Sequence, residues 1–286
     1  MPGKRWTSDD NSLGRLLLEE SRDLGAVADQ LGRSRTSVRL RNNRYWKIRV
    51  PHTGGSNLVP NEAFVESWSA SLSYVVGFLT ADGNVRKNGT GFSVSQSHES
   101  GRDHLRSVLP LVGGSVRGPY KDDVYTLNVC SPRMATWLTQ VGVVPAKSLK
   151  MVDLPLVPES LMQHFMLGLF DGDGSVYHSN GSRPGRKPMV GLSIAGASPK
   201  FLESVKSRLS AELNTRGSVV TNQVIWPHHD SVTILEWMFE IRDQVPHLPR
   251  KYETYRRLID ARQAWGDRSH RTGLISAIKK ELPAWQ

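Results

Sequence analysis

Two aspartates, Asp82 and Asp173, each end a short apolar segment in the same way. Val75-Val76-Gly77-Phe78-Leu79-Thr80-Ala81-Asp82-Gly83 matches Met166-Leu167-Gly168-Leu169-Phe170-Asp171-Gly172-Asp173-Gly174 at a constant offset of 91 residues. Segments of this kind read as the last turns of apolar helices, released into the next strand by Gly83 and Gly174. Gly77 and Gly168 carry no side chain, so two such helices can approach closely. Asp82 and Asp173 then emerge side by side at one end of the pair. Two carboxylates held together repel unless a cation sits between them. Magnesium suits that position, because it takes hard oxygen ligands: one or two carboxylates plus phosphate oxygens and water. A site of this type clamps the attacking and departing oxygens of a phosphodiester displacement. One helix ending in Asp-Gly is ordinary; two copies at matched places in a basic chain point to chemistry.

The elements that must position these aspartates repeat as well. Strand-like stretches over 91–95 and 191–195 are each followed by a helix, over 102–111 and 199–213. Gly114-Ser115-Val116 and Gly217-Ser218-Val219 come next, and residues 125–129 and 231–235 read as further strands. Each half ends near a lysine, Lys147 in Pro145-Ala146-Lys147-Ser148 and Lys251 in Leu248-Pro249-Arg250-Lys251-Tyr252. Two copies of a mixed α+β unit are expected to pack as a pseudo-dimer within one chain.

The two segments resemble the paired LAGLIDADG motifs of homing endonucleases, and the resemblance extends over roughly residues 70–286. It implies an α+β fold of tandem pseudo-symmetric αββαββα repeats, at 61–155 and 156–286, forming a saddle of antiparallel sheets. It implies Asp82 and Asp173 as metal-binding acids, with the carbonyls of Ala81 and Gly172 also able to face the metals. By the same resemblance Gln96 holds active-site water, and Lys147 and Lys251 activate water or stabilise the charged phosphorane. Magnesium is the implied cofactor, with manganese tolerated. Each sheet is implied to face the major groove of double-stranded DNA, with Arg86, Lys87, Arg117, Lys121, Arg183, Arg186, Lys187, Arg216, Gln223 and Trp226 as candidate contacts. Two departures stand out: Thr80 replaces the acid that Asp171 supplies in the other copy, and Ala195 or Gly196 falls where a second glutamine belongs. The implied activity is site-specific double-strand cleavage at a long asymmetric target by a monomer. Alternatives on the same scaffold are a non-cleaving DNA-binding regulator and a maturase that binds intron RNA. The implied setting is a mobile intron or a phage genome.

Residues 1–46 read as a small all-α module. Thr7-Ser8-Asp9-Asp10 can cap a first helix that carries Leu13, Leu16 and Leu17. A second helix covers about 23–31, Gly32 breaks it, and Ser34 caps a third, running to about Arg44 with Val38 and Tyr45 or Trp46 turned inward. Residues 33–49 hold seven Lys or Arg and no carboxylate. Arg35, Thr36, Arg39, Asn42 and Asn43 can share the outward face of the third helix, and Arg and Asn pair with guanine and adenine edges. Trp6-Thr7 through Gly32-Arg33-Ser34-Arg35-Thr36-Ser37-Val38-Arg39 resembles Myb-like helix–turn–helix modules. Pro51, Gly54, Gly55 and Pro60 punctuate a linker over 47–60.

Composition fits this reading. The chain of 286 residues has a formal net charge of +10, which favours a polyanionic partner. Its one cysteine, Cys130, can form neither an internal disulfide nor a cysteine-based zinc site. The N-terminal residues are not followed by an apolar stretch of signal-peptide length, and no run approaches a membrane span, so a soluble, cytoplasmic, nucleoid-associated protein is expected. His228-His229-Asp230 is not expected to bind metal: on a strand, neighbours point to opposite faces.

Overall fold

The computed structural model describes residues 6–21, 24–48, 58–179 and 187–265, without the side chains of residues 21, 25, 35, 36, 43, 148 and 149. The chain divides into two compact units, Met1–Ser56 and Asn57–Gln286.

Among its described residues the first unit holds three α-helices, α1 (Ser8–Ser21), α2 (Leu24–Gln30) and α3 (Arg35–Arg41). Thr7 and Asp10 cap α1 reciprocally: Asp10 N donates to Thr7 Oγ1 (3.0 Å) and Thr7 N donates to Asp10 Oδ2 (3.3 Å). The same carboxylate receives the Arg33 guanidinium at 2.5 Å, and that guanidinium also lies 4.1 Å from the Trp6 ring centroid. Ser34 caps α3, accepting from Ser37 N at 3.2 Å. Leu18, Val27, Ala28, Leu31 and Val38 form the core, with Trp6 and Trp46 packed against it. Three details differ from the sequence expectation. Leu13 and Leu16 are exposed, because α1 turns Gly14 and Leu18 inward; a Cβ on Gly14 would lie 2.7 Å from the Trp46 ring. The chain leaves α3 through a π-helical turn, Asn42–Trp46, which buries part of Trp46 and exposes Tyr45. Asn42 does not share the outward face: its amide closes that turn, donating to Ile48 O and accepting from Ile48 N, both at 2.9 Å.

The second unit carries the repeat. The first half runs α4 (Ala70–Ala81), β1 (Gly83–Val85), β2 (Phe92–Ser97), α5 (His98–Val112), β3 (Ser115–Arg117), β4 (Val124–Val129) and α6 (Pro132–Gln140), then a short α7 (Lys147–Lys150). The second half runs α8 (Met162–Asp173), β5 (Gly174–His178), β6 (Val190–Ala195), α9 (Pro199–Leu213), β7 (Ser218–Val220), β8 (Gln223–Trp226), α10 (His228–Glu240) and α11 (Pro249–Ala264). The result is a mixed α+β unit with two four-stranded antiparallel sheets, ordered β1-β2-β4-β3 and β5-β6-β8-β7. Registers correspond: Gly83 faces Val94 as Gly174 faces Ile194. Alternation puts Val85, Phe92, Val94, Leu127 and Val129 of one sheet, and Leu192, Ile194, Val224 and Trp226 of the other, into the core beneath the helices. The opposite face of each sheet carries no helix among the described residues. No helix among the described residues is long and apolar enough to cross a membrane.

Residues 231–235 are not a strand. Pro227 ends β8, and α10 begins at His228. His228, Ser231, Ile234, Leu235, Met238 and Phe239 are its buried residues, a helical spacing that overrides the β-branched run Val232-Thr233-Ile234. His228, His229 and Asp230 therefore open a helix. His228 Nδ1 accepts from Val190 N, and Asp230 Oδ2 accepts from Arg216 N, so both carry structural bonds. Trp226, a candidate DNA contact, is 3% exposed on the helix-covered face and cannot reach a groove.

The centre of the unit is the α4–α8 crossing. A Cβ on Gly77 would lie 2.0 Å from Phe165 O, and one on Gly168 would lie 2.0 Å from Tyr74 O. Each glycine seats the other helix's backbone, an approach that no side chain permits.

Candidate active site

Because the helices cross at their glycines, their C-terminal ends meet. Asp82 is the C-cap of α4 and Asp173 the last residue of α8. A Cβ on Gly172 would touch Ala81 Cβ at 2.2 Å and Asp82 Oδ2 at 3.2 Å, so the two ends are in contact. Burial pushes the Asp82 carboxyl above its usual range, opposed by Lys251, Gln96, Lys147 and Arg250. Asp173 is raised to about 6, first by burial and then by the charge of Asp82. Gln96, on the buried face of β2, donates its amide to Asp82 Oδ2. Asp173 accepts no hydrogen bond from any described residue. The β5–β6 register places Gly196 where Gln96 stands in the first half. Gly196, Thr80, Lys147 and Asp173 line a cavity of about 40 Å³ there, room for one water. The two half-sites are thus unequal.

The lysines reach the same place from two sides. Lys147, on α7, donates to Ala81 O. Lys251, in the first turn of α11, is buried and donates to Phe170 O (2.5 Å), Gly174 O (2.6 Å) and Gly172 O (3.4 Å), bracketing Asp173. Burial lowers the Lys251 pKa to about 8, which leaves it a cation at neutral pH, and lowers that of Lys147 in the same sense. The Ala81 and Gly172 carbonyls each accept one lysine hydrogen bond and keep a second lone pair. Lys251→Met is expected to remove a buried donor from three carbonyls, of which Phe170 O keeps the Gly174 N–H, and to destabilise the fold by about 3 kcal/mol or more, read from urea denaturation. An unchanged midpoint contradicts this account.

Behind the aspartates lies a buried polar chain with no counterpart in the sequence expectation. Asp171 is 1% exposed; its Oδ2 accepts from Tyr74 OH (2.7 Å) and Leu248 N (2.9 Å), and its Oδ1 has no partner among the described residues. Burial raises its pKa to about 6. Tyr74 OH also meets His104 Nε2 at 3.0 Å, and burial lowers the His104 pKa to about 3. Since the Tyr74 hydroxyl proton goes to Asp171, neutral His104 donates to the Tyr74 oxygen. Leu248 is the N-cap of α11, so Tyr74 of the first half and Asp171 of the second hold the helix that bears Lys251. Thr80, at the position equivalent to Asp171, bonds back to Val76 O at 2.7 Å. Tyr74→Phe removes one of the two donors to a buried carboxylate; the expected cost is about 1–3 kcal/mol in urea denaturation. Tyr74 and His104 were detectable only as polar groups inside apolar helix faces. The half-buried Arg250, whose charge acts on both Asp82 and Asp171, adjoins Lys251 in sequence.

The candidate DNA contacts divide. Arg86 (just after β1), Arg117 (end of β3) and Gln223 (β8) lie on the helix-free sheet faces; Lys87, Lys121, Lys187 and Arg216 are exposed in connections. Arg39 is exposed on α3. Arg183 and Arg186 lie outside the described residues, as do the side chains of Arg35, Thr36 and Asn43. Strand alternation adds a polar row that carries no charge and so gave no signal in the sequence: Asn84, Ser93, Ser95, Thr126 and Asn128, with Ser95 Oγ and Thr126 Oγ1 bonded at 2.8 Å.

Comparison with known proteins agrees with this architecture. The family model described as LAGLIDADG-like domain matches residues 160–232, from the start of α8 into α10. Among solved structures, the LAGLIDADG meganuclease I-AabMI bound to uncleaved DNA is 17% identical, with a TM-score of 0.50, covering 73% of this chain and 98% of that one. The I-SmaMI LAGLIDADG homing endonuclease bound to cleaved DNA is 15% identical, with a TM-score of 0.47, covering 75% and 95%. The likeness to I-AabMI establishes a shared fold. A comparison with curated proteins found no match.

Proposed function

We propose that this chain is a site-specific double-strand DNA endonuclease of the homing type, dependent on a divalent metal. The observation that carries the reading is the meeting of Asp82 and Asp173 at the ends of two glycine-crossed helices. The donor set fits magnesium, with manganese tolerated: two adjacent carboxylates, one with no hydrogen-bond partner among the described residues, both raised in pKa by burial, and two carbonyls with a lone pair to spare. Asp82, Asp173 and the carbonyls of Ala81 and Gly172 would hold it. When bound there, magnesium supplies Lewis-acid stabilisation of the charge that builds on a phosphodiester during displacement.

The chain's own residues do the remainder. Gln96 fixes the Asp82 carboxylate and leaves its amide oxygen to orient water. Lys147 and Lys251 place positive charge beside the two acids, where a phosphate's developing charge is offset. The helix-free sheet faces lie along the major groove, and the surface lysines and arginines neutralise phosphates. Residues 1–46 act as a helix–turn–helix module of Myb-like type, with Arg35, Thr36, Arg39 and Asn43 toward a flanking segment of DNA. Residues 47–60 link it to the repeats at 61–155 and 156–286. The protein acts as a monomer encoded in a mobile intron or a phage genome.

The test is cleavage of a randomised double-stranded DNA library by the full chain in magnesium, in calcium and in excess chelator. The expected result is cutting at one long asymmetric site in magnesium, none in chelator, and retention of that site without cutting in calcium. Tight site-specific binding with no cutting in any metal sinks the nuclease reading and leaves a regulator. Selective binding of structured RNA without DNA selectivity leaves a maturase.

A further inference from the structure

Registering the two helix-free sheet faces on each other shows that they are chemically unlike. Asn128 opposes Ser93 in the first sheet; the position opposing Ser193 in the second is Ile225. Arg117 opposes Thr126, whereas Val220, 45% exposed, opposes Gln223. Ser95, bonded to Thr126, becomes Ala195. Arg86, which follows β1, becomes Tyr177, whose ring lies across the side-chain-free Gly191: a Cβ there would meet the ring at 2.5 Å. At three matched positions the second face has exchanged hydrogen-bonding or charged groups for apolar ones, at a fourth a guanidinium has become an aromatic ring, and Gln223 stands among them in place of Thr126.

In the major groove only thymine presents a methyl group, which pairs with apolar side chains; glutamine pairs with adenine, and arginine with guanine. We propose that the second sheet reads a half-site rich in A·T pairs through thymine methyls, with Ile225, Val220 and Ala195 as the contacting side chains and Gln223 on adenine. The first sheet reads its own half-site by hydrogen bonds, with Arg117 toward guanine. This rests on the nuclease reading only in so far as the sheets face DNA; catalysis is not needed.

The experiment begins with selection of a bound duplex from a random library, using the full chain in calcium. Deoxyuridine then replaces deoxythymidine in one half-site at a time, which removes the methyl and leaves every hydrogen-bonding group. Binding to the half read by the second sheet is expected to weaken about fourfold per contacted methyl, the equivalent of exposing one buried carbon, and about tenfold or more in total. The other half is expected to change less than about twofold. The variant I225S/V220S locates the effect: its binding is expected to be indifferent to uridine in that half. The substrate arm stands even if this variant fails to fold. Equal effects in the two halves, or none in either, overturn the proposal while the nuclease reading stands. A selection that returns no preferred duplex removes the nuclease reading and this one with it.

Discussion

Asp173→Asn is expected to lower DNA cleavage by about a thousandfold or more and, in the absence of metal, to stabilise the protein. The first effect follows from removing one of two carboxylates that face a common point. The second follows from what those carboxylates cost the fold. Asp173 is raised from 3.8 to about 6 by burial and by Asp82. A carboxyl with a raised folded pKa holds its proton more tightly in the folded chain than in the unfolded one. The folded state therefore loses ground as pH rises from about 4 through 6, by about 2–3 kcal/mol for a shift of this size. Asparagine has no such dependence. Metal-free melting at pH 7 is expected to rise by roughly 5 °C in the variant, the gap closing near pH 4. Asp82→Asn should act in the same directions. Wild-type cleavage by either variant, on either strand, contradicts the placement of the active site. A lower melting temperature at pH 7 contradicts the electrostatic account.

Gly77→Ala is expected to be among the most destabilising single substitutions available, at about 3 kcal/mol or more in urea denaturation, with cleavage lost as well. The added carbon would sit 2.0 Å from Phe165 O, a backbone atom of a buried helix that has no rotamer to change. Relief requires α4 and α8 to separate, which pulls Asp82 from Asp173. Gly168→Ala meets Tyr74 O at the same distance and should cost as much. The double variant should cost less than the sum, since helices parted by one methyl have already made room for the other. Strict additivity means that the two contacts yield independently and that the crossing is not rigid.

Much of this was legible because repetition is legible. Gly77, Gly168, Asp82 and Asp173 recur at one spacing, and a motif seen twice carries its own control. Strand alternation was equally readable, and it led to the helix-free faces once the registers were known. Other features depended on tertiary context. Val232-Thr233-Ile234 favours a strand locally, but the buried positions 231, 234, 235, 238 and 239 recur at helical spacing. Leu13 and Leu16 were as apolar as Leu18, and only the close packing of Trp46 on Gly14 decides which side of α1 is inward. Asn42 could have faced DNA; the two backbone groups of Ile48 claimed its amide. Asp171, an acid in an apolar helix, announced that a partner must exist. Nothing in the sequence identified that partner as Tyr74, 97 positions earlier.

That last bond limits how freely the protein can be re-engineered. A tandem repeat invites the exchange of one half for a half that recognises a different sequence, as if the two were cartridges. Here the cut between cartridges would pass through a shared fitting: a phenol supplied by one half satisfies an acid in the other, and that acid in turn seats the helix bearing the other half's lysine. A chimaera that brings in a new first half must bring a tyrosine at position 74 with it, and one that brings in a new second half must bring an acid at 171. Otherwise the graft inherits a buried polar group that has lost one of its two partners.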